Sequence, residues 1–145
     1  MSDIVKAGLL VIRDGRILLC RKNRDTALFI TPGGRLEPGE TEDECIVREV
    51  AEELGPDVAV SELHYIGTYR DVAAGQEDRM VEVRLYRGNL QGDPAPHSEI
   101  AELIWFEPGS DTGGLSATLR NHIVPDLIAR GLLDPLRMYD HYAGL

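Results

Sequence analysis

The stretch Gly33–Gly55 reads GGRLEPGETEDECIVREVAEELG and carries eight acidic residues. Its helical part is sharply delimited. Thr41 with Glu44 three residues later is a capping-box signature, and Gly55 followed by Pro56 marks the stop. At about 100° per residue, Ile46, Val47, Val50, Ala51 and Leu54 gather on one side, which predicts a helix over Glu42–Leu54 packed on a core. Glu49, Glu52 and Glu53 share another arc. Their i, i+3 and i, i+4 spacings make them surface neighbours. Each like-charge pair costs roughly 0.2–0.5 kcal/mol when merely exposed. In the last turn the helix dipole adds roughly 0.3–1 kcal/mol per anion. Arg48 can pair with Glu44 and Glu52, but one guanidinium cannot offset three carboxylates. Two readings follow: a solvated polar face, or a cluster neutralised by a hard divalent cation. Mg²⁺ takes oxygen ligands and is typically shared between carboxylates and substrate phosphates.

Outward from the helix, Pro32-Gly33-Gly34 reads as a tight turn. It is either plain punctuation or a place where backbone approaches a ligand closely. Upstream, two apolar runs, Ile4–Arg13 and Arg16–Lys22, flank Asp14-Gly15, a strong hairpin signal. Leu28–Thr31 is a short strand stopped by the prolyl-glycyl turn. Downstream, Glu62–Arg70 and Arg79–Arg87 read as strands, the latter with Val81, Val83 and Leu85 on one face. Leu103–Phe106 is a further strand. Leu115–Arg130 has helical spacing interrupted by Pro125, which predicts a kink or two short helices. The order of elements predicts a mixed α/β (α+β) layer structure.

The chain has 145 residues, a formal net charge of −10 and a pI near 4.8. That length fits a single domain over residues 1–145. The acidic balance argues against a long nucleic-acid partner, which needs clustered Lys and Arg. Its apolar runs are too short to span a bilayer, and Asp3 with no long apolar stretch after it predicts no secretory signal. Cys20 and Cys45 lack metal-ligand spacing and read as free thiols of a reducing, cytoplasmic setting. His64, His97, His122 and His141 show no ligand spacing either. Trp105 and Phe106 read as core. Phe29 is core or a stacking partner for a base. Arg21 and Lys22 end a strand beside the glycine turn and meet either solvent or terminal phosphates.

Taken together, Gly34, Glu40, Arg48-Glu49-Val50, Glu52-Glu53 and Gly55 resemble the Nudix hydrolase signature. Only Pro56 departs, at a position where an aliphatic residue is usual. The flanking elements resemble the family's order over most of the chain, leaving residues 134–145 as an uncovered tail.

The resemblance implies an α/β/α sandwich with a mixed sheet between helices. It also implies hydrolysis of a phosphoanhydride in a nucleoside diphosphate-linked small molecule, with Mg²⁺ or Mn²⁺. By resemblance, Glu49 and Glu53 are direct metal ligands, and Glu52 binds metal or handles the attacking water. The Gly33 carbonyl is a further candidate ligand, while Glu40 and Arg48 hold loop and helix together. Glu99, six residues before Trp105, is the candidate general base or additional ligand, with Glu102 nearby as its competitor. Arg21 and Phe29 are candidate substrate contacts. Lacking the secondary markers of other subfamilies, the chain looks most like nucleoside triphosphate pyrophosphohydrolases, including those acting on oxidised nucleotides. Nucleotide sugars, dinucleoside polyphosphates and a non-catalytic nucleotide-binding module are the alternatives. Neither a monomer nor a homodimer is favoured.

Overall fold

The computed structural model describes residues 3–23 and 26–134. The tail beyond Asp134 falls outside the described residues. The order is β1 (Ile4–Leu10), β2 (Ile12–Arg13), β3 (Arg16–Lys22), β4 (Gly33–Arg35), α1 (Glu42–Leu54), β5 (Ala59–Ala73), β6 (Gln76–Gln91), β7 (Ile100–Phe106), a π-helical turn (Leu119–Ile123) and α2 (Val124–Ala129). One sheet is mixed, in the order β4-β1-β6-β5, with β1 parallel to β6 and the other neighbours antiparallel. A second, antiparallel sheet runs β2-β3-β7.

The predicted hairpin forms only at its tip. Asp14 (φ 52°) and Gly15 (φ 76°) make the turn, and Ile12 and Arg13 pair with Ile17 and Arg16. The chain breaks step at Val11, so β1 joins one sheet while β3 joins the other. Helix α1 has the predicted bounds, and both arms of its capping box are made, Thr41 with Glu44. Pro125 lies within a helical run that continues unbroken over 117–129, directly after the π-helical turn, a local distortion of the kind that accommodates a missing N–H. The predicted kink or pair of short helices is met by these two pieces, which run on into one another.

Two clusters of buried side chains lie about the sheets. One joins α1 (Cys45, Ile46, Val50, Leu54) to Ala7, Leu9 and Leu18. The other joins Leu10, Leu19, Leu85 and Phe106 to Leu119, Ile123 and Leu127. Phe106 is buried as expected, and Trp105 is half-buried with the Arg13 guanidinium 5.5 Å above its ring. Val47 was expected on the packing face but is 53% exposed. The buried stripe instead runs through Cys45 and Glu53, because α1 leans its last turn onto β4 rather than onto solvent.

The glycine turn is also corrected. Gly33 and Gly34 form β4, paired with Gly8 and Ala7 of β1. Gly33 has φ 136°, and a Cβ there would stand 2.1 Å from the Ala7 carbonyl oxygen. No rotamer relieves a clash with backbone. Replacing Gly33 by Ala is therefore expected to cost at least about 2 kcal/mol, the strained dihedral alone supplying about 1–3 kcal/mol. Urea unfolding of Gly33→Ala against the native chain measures it, and an unchanged midpoint would show that β4 can move away.

Candidate active site

The loop and helix after β4 are organised by one arginine. Arg48 donates from Nε to Glu40 Oε2 at 2.7 Å and from a terminal nitrogen to Glu40 Oε1 at 2.9 Å, a bidentate pair. Its other terminal nitrogen donates to Glu49 Oε1 at 2.7 Å and lies 3.6–3.7 Å from Glu52 and Glu37. A guanidinium matches a carboxylate fork in geometry as well as charge. The Arg48 bonds and the Glu37 N–H hold the Glu40 carboxyl down at about 2. Glu44, expected as an Arg48 partner, is engaged instead by the Thr41 cap. The Cys45 thiol donates to the Gly34 carbonyl at 3.4 Å, and burial pushes it up to about 11, so it remains a neutral donor.

The three glutamates of the predicted arc do not share one environment. Glu52 is exposed, Glu49 is half-buried and Glu53 is only 5% exposed. Glu53 accepts the Gly33 N–H on Oε1 at 2.9 Å. Burial, with Glu49 nearby, raises its carboxyl to about 7 against that hydrogen bond. Burial likewise raises Glu49, while Arg48 opposes the shift. Glu49 lies against Gly34, where a Cβ would come within 2.5 Å of its carboxylate. The absent side chain of Gly34 is therefore the space that Glu49 occupies.

These groups converge on an open pocket of about 520 Å³. Glu49, Glu52, Glu53 and Glu99 form its acidic wall, and Lys6, Lys22 and Arg35 line it as well. Glu99 enters from the turn before β7, beside Ser98 with φ 56°. Glu102 lies on β7 opposite Arg21 and accepts from its Nε at 3.2 Å. Arg21 is thereby tied to the second sheet and is absent from the pocket lining. Phe29 is half-buried against the Leu10–Leu127 cluster and is likewise absent from the lining.

Next to this pocket lies a smaller one of about 80 Å³. Gly8, Val81 and Val83 line it together with the hydroxyl-bearing Thr26, Thr31, Ser116 and Thr118. Gly33 contributes to this pocket and Gly34 to the other. Lys6 was not anticipated, although it is the one charged residue of β1 and that was a readable signal. Burial, with Lys22 and Arg35 nearby, lowers its ammonium, and Glu53 opposes the shift. Nothing in the sequence marked Gln76, which lines both pockets from the β5–β6 tip.

The donor set suits a hard divalent cation: carboxylate oxygens from two segments, one of them buried and held by a single N–H. Among the described residues no three such side chains are already drawn into coordinating distance. Arg48 bonds Oε1 of Glu49 and Gly33 bonds Oε1 of Glu53, which leaves the second oxygen of each carboxylate as an acceptor.

A family model for the NUDIX domain matches residues 4–111. A Bacillus subtilis (strain 168) protein provisionally named an 8-oxo-dGTP diphosphatase is 34% identical over 105 residues, 71% of this chain and 66% of that one. A Danio rerio protein named oxidized purine nucleoside triphosphate hydrolase is 33% identical over 102 residues, 68% of this chain and 63% of its own. The chain thus spans about two thirds or slightly less of the length of these relatives. The crystal structure of a MutT NUDIX hydrolase from Burkholderia pseudomallei superposes with a TM-score of 0.73 at 23% identity, covering 87% of this chain and 98% of that one. Among the described residues no helix is long and apolar enough to cross a membrane.

The Glu53 shift has a signed consequence. The folded protein holds this proton more tightly than the unfolded chain does. Stability from that difference is complete below about pH 4.5, the ordinary glutamate value, and is lost as pH rises through about 7. In chelator, the melting temperature should fall between roughly pH 5 and 8, and Glu53→Gln should flatten that fall. An equal fall in both proteins would assign it to other groups. With fold, signature and matching model in agreement, the chain belongs to the NUDIX domain family.

Proposed function

We propose that this chain is a divalent-metal-dependent hydrolase of a phosphoanhydride in nucleoside triphosphates, releasing a nucleoside monophosphate and pyrophosphate. The observation that carries the reading is the pair of adjoining pockets. One is wide and carries carboxylates together with two lysines and two arginines; the other is small and lined by apolar residues and by four that bear hydroxyls. A triphosphate suits the first and an uncharged planar base the second. The printed names of the Bacillus subtilis and Danio rerio relatives support nucleoside triphosphates, oxidised purine nucleotides among them.

In this reading Glu49, Glu52 and Glu53, with the Gly33 carbonyl, hold Mg²⁺ or Mn²⁺. When bound, such a cation neutralises charge on the phosphate oxygens and acidifies a water. Water adds to phosphorus, the anhydride P–O bond breaks, and pyrophosphate leaves. Glu99 accepts the proton of the attacking water; it comes from another segment than α1 and is not among the carboxylates that Arg48 occupies. Arg48 keeps Glu49 aimed at the pocket through its pair with Glu40.

Release of pyrophosphate and nucleoside monophosphate from a nucleotide panel, with and without Mg²⁺, tests the reading. Hydrolysis is expected only with the cation, and full activity in excess chelator would overturn the mechanism. Glu53→Gln and Glu49→Gln should abolish most of kcat in folded protein.

The two loop glutamates separate by position. Glu99→Gln should lower kcat by about 10²-fold or more, within the usual worth of general-base help. Glu102→Gln should lose only its exposed bond to Arg21, worth roughly 0–1 kcal/mol. Reversed behaviour in steady-state kinetics would transfer the role to Glu102, and no effect from either would return it to Glu52.

A further inference from the structure

Three residues line both pockets: Lys6, Lys22 and Gln76. They mark the waist between the acidic pocket and the hydroxyl-ringed one. Lys6 is the informative member. It sits within a strand, IVKAGLL, whose other residues are all apolar or glycine. On the pleat it follows Ile4 and precedes Gly8 and Leu10, and Ile4 and Gly8 line the small pocket beside it. Its Cα partners are Arg35 on β4 and Val83 on β6, so the backbone around it is fixed by pairing on both sides. An ordinary strand lysine turns its ammonium to open water. This one is half-buried and is directed to the waist. Among the described residues no carboxylate lies within 4.0 Å of it, the Glu53 charge acting only from further off. Replacing Lys6 by an aliphatic residue would suit the sheet better, so packing does not explain the lysine.

We infer that Lys6, supported by Lys22, binds the phosphate directly attached to the nucleoside and so fixes which anhydride bond faces Glu49, Glu53 and Glu99. This rests on the hydrolase reading for the identity of the ligand. A nucleoside triphosphate laid across both pockets has its base in the small one and its outer phosphates against the acidic wall. The group left at the waist is the 5′-phosphate. An ammonium there donates to its non-bridging oxygens and still holds that phosphate after pyrophosphate has left. The carboxylates that line the same pocket repel this phosphate, so without a cation among them the lysines supply the attraction. Lys6 is thus a substrate-binding residue that also holds the monophosphate product.

The test is equilibrium binding, which needs no turnover. The full chain is titrated by calorimetry in chelator with the monophosphates of the nucleotide panel, with the matching free nucleosides and with inorganic pyrophosphate. Wild type, Lys6→Met and Lys6→Arg are compared. Lys6→Met is expected to weaken the best-bound monophosphate by about 10- to 100-fold, the range of one hydrogen bond to a charged group. Nucleoside affinity should stay within about twofold, and Lys6→Arg should recover most of the loss. Equal weakening of nucleoside and monophosphate, or no weakening of either, overturns the assignment. So does failure of the wild type to bind any monophosphate. A merely structural Lys6 would lower the melting temperature without this selective loss. If no triphosphate is hydrolysed and monophosphate affinity still depends on Lys6, the hydrolase reading fails and the binding role stands. If triphosphates are hydrolysed and Lys6→Met binds monophosphate normally, the reverse holds.

Discussion

A single buried hydrogen bond, from the Gly33 N–H to the Glu53 carboxylate, ties the last turn of α1 to the edge of the mixed sheet. Because β4 pairs with β1, and β1 with β6, this bond sets the helix against the sheet's centre rather than against a free loop. It also has to outweigh an unfavourable term. Removing a carboxylate from water costs several kcal/mol, whereas a hydrogen bond to a charged group returns about 1.5–3 kcal/mol. The remainder appears as a proton held near neutrality, which is the direction of the Glu53 shift.

The second constraint is the Arg48 fork. It draws Glu40 across from the loop and Glu49 from its own helix, so one cation closes the loop and aims a carboxylate at the same time. The like-charge cost of the acidic stretch is therefore answered unevenly. Glu40 and Glu49 are bonded to Arg48, Glu53 to backbone, and the exposed Glu52 meets Arg48 only at 3.6 Å. Lys6, Lys22 and Arg35 line the same pocket as these carboxylates. A polyanion bound there meets positive charge directly at the basic residues and needs a mediating cation at the carboxylates.

Much of this was legible in the chain itself. Thr41, Glu44 and Gly55 delimited α1 because capping uses local chemistry with fixed offsets. The loop–helix unit with Glu40, Arg48, Glu49 and Glu53 was identified through its resemblance to the Nudix signature. Misread features depended on partners far away in sequence. Gly33 and Gly34 read as a turn because glycine pairs break strands, yet they pair with β1 and make room for Glu49. Val47 has the right phase for the core but faces solvent, since the helix leans toward β4 by about a residue's rotation. Glu53 was grouped with Glu52 on one polar arc, although at about 100° per residue it lies beside Ile46, on the side that the sheet edge buries. Lys6 was hidden by the opposite difficulty: a lone charge in an apolar strand is visible, but what it faces is not.

The mixed sheet ends on β4 at one side and on β5 at the other. β4 is three residues long, too short to template another chain. β5 runs for fifteen residues, a length that would ordinarily invite a stranger's strand to add to it. Its pairing with β6 slips at Ser61–His64, at Tyr65–Gly67 and again at Val72–Ala73. Each slip bends the strand and coils it more tightly, so no long flat ladder of N–H and C=O groups faces outward. Such irregularities leave the open side of a long hairpin a poor template for a further strand.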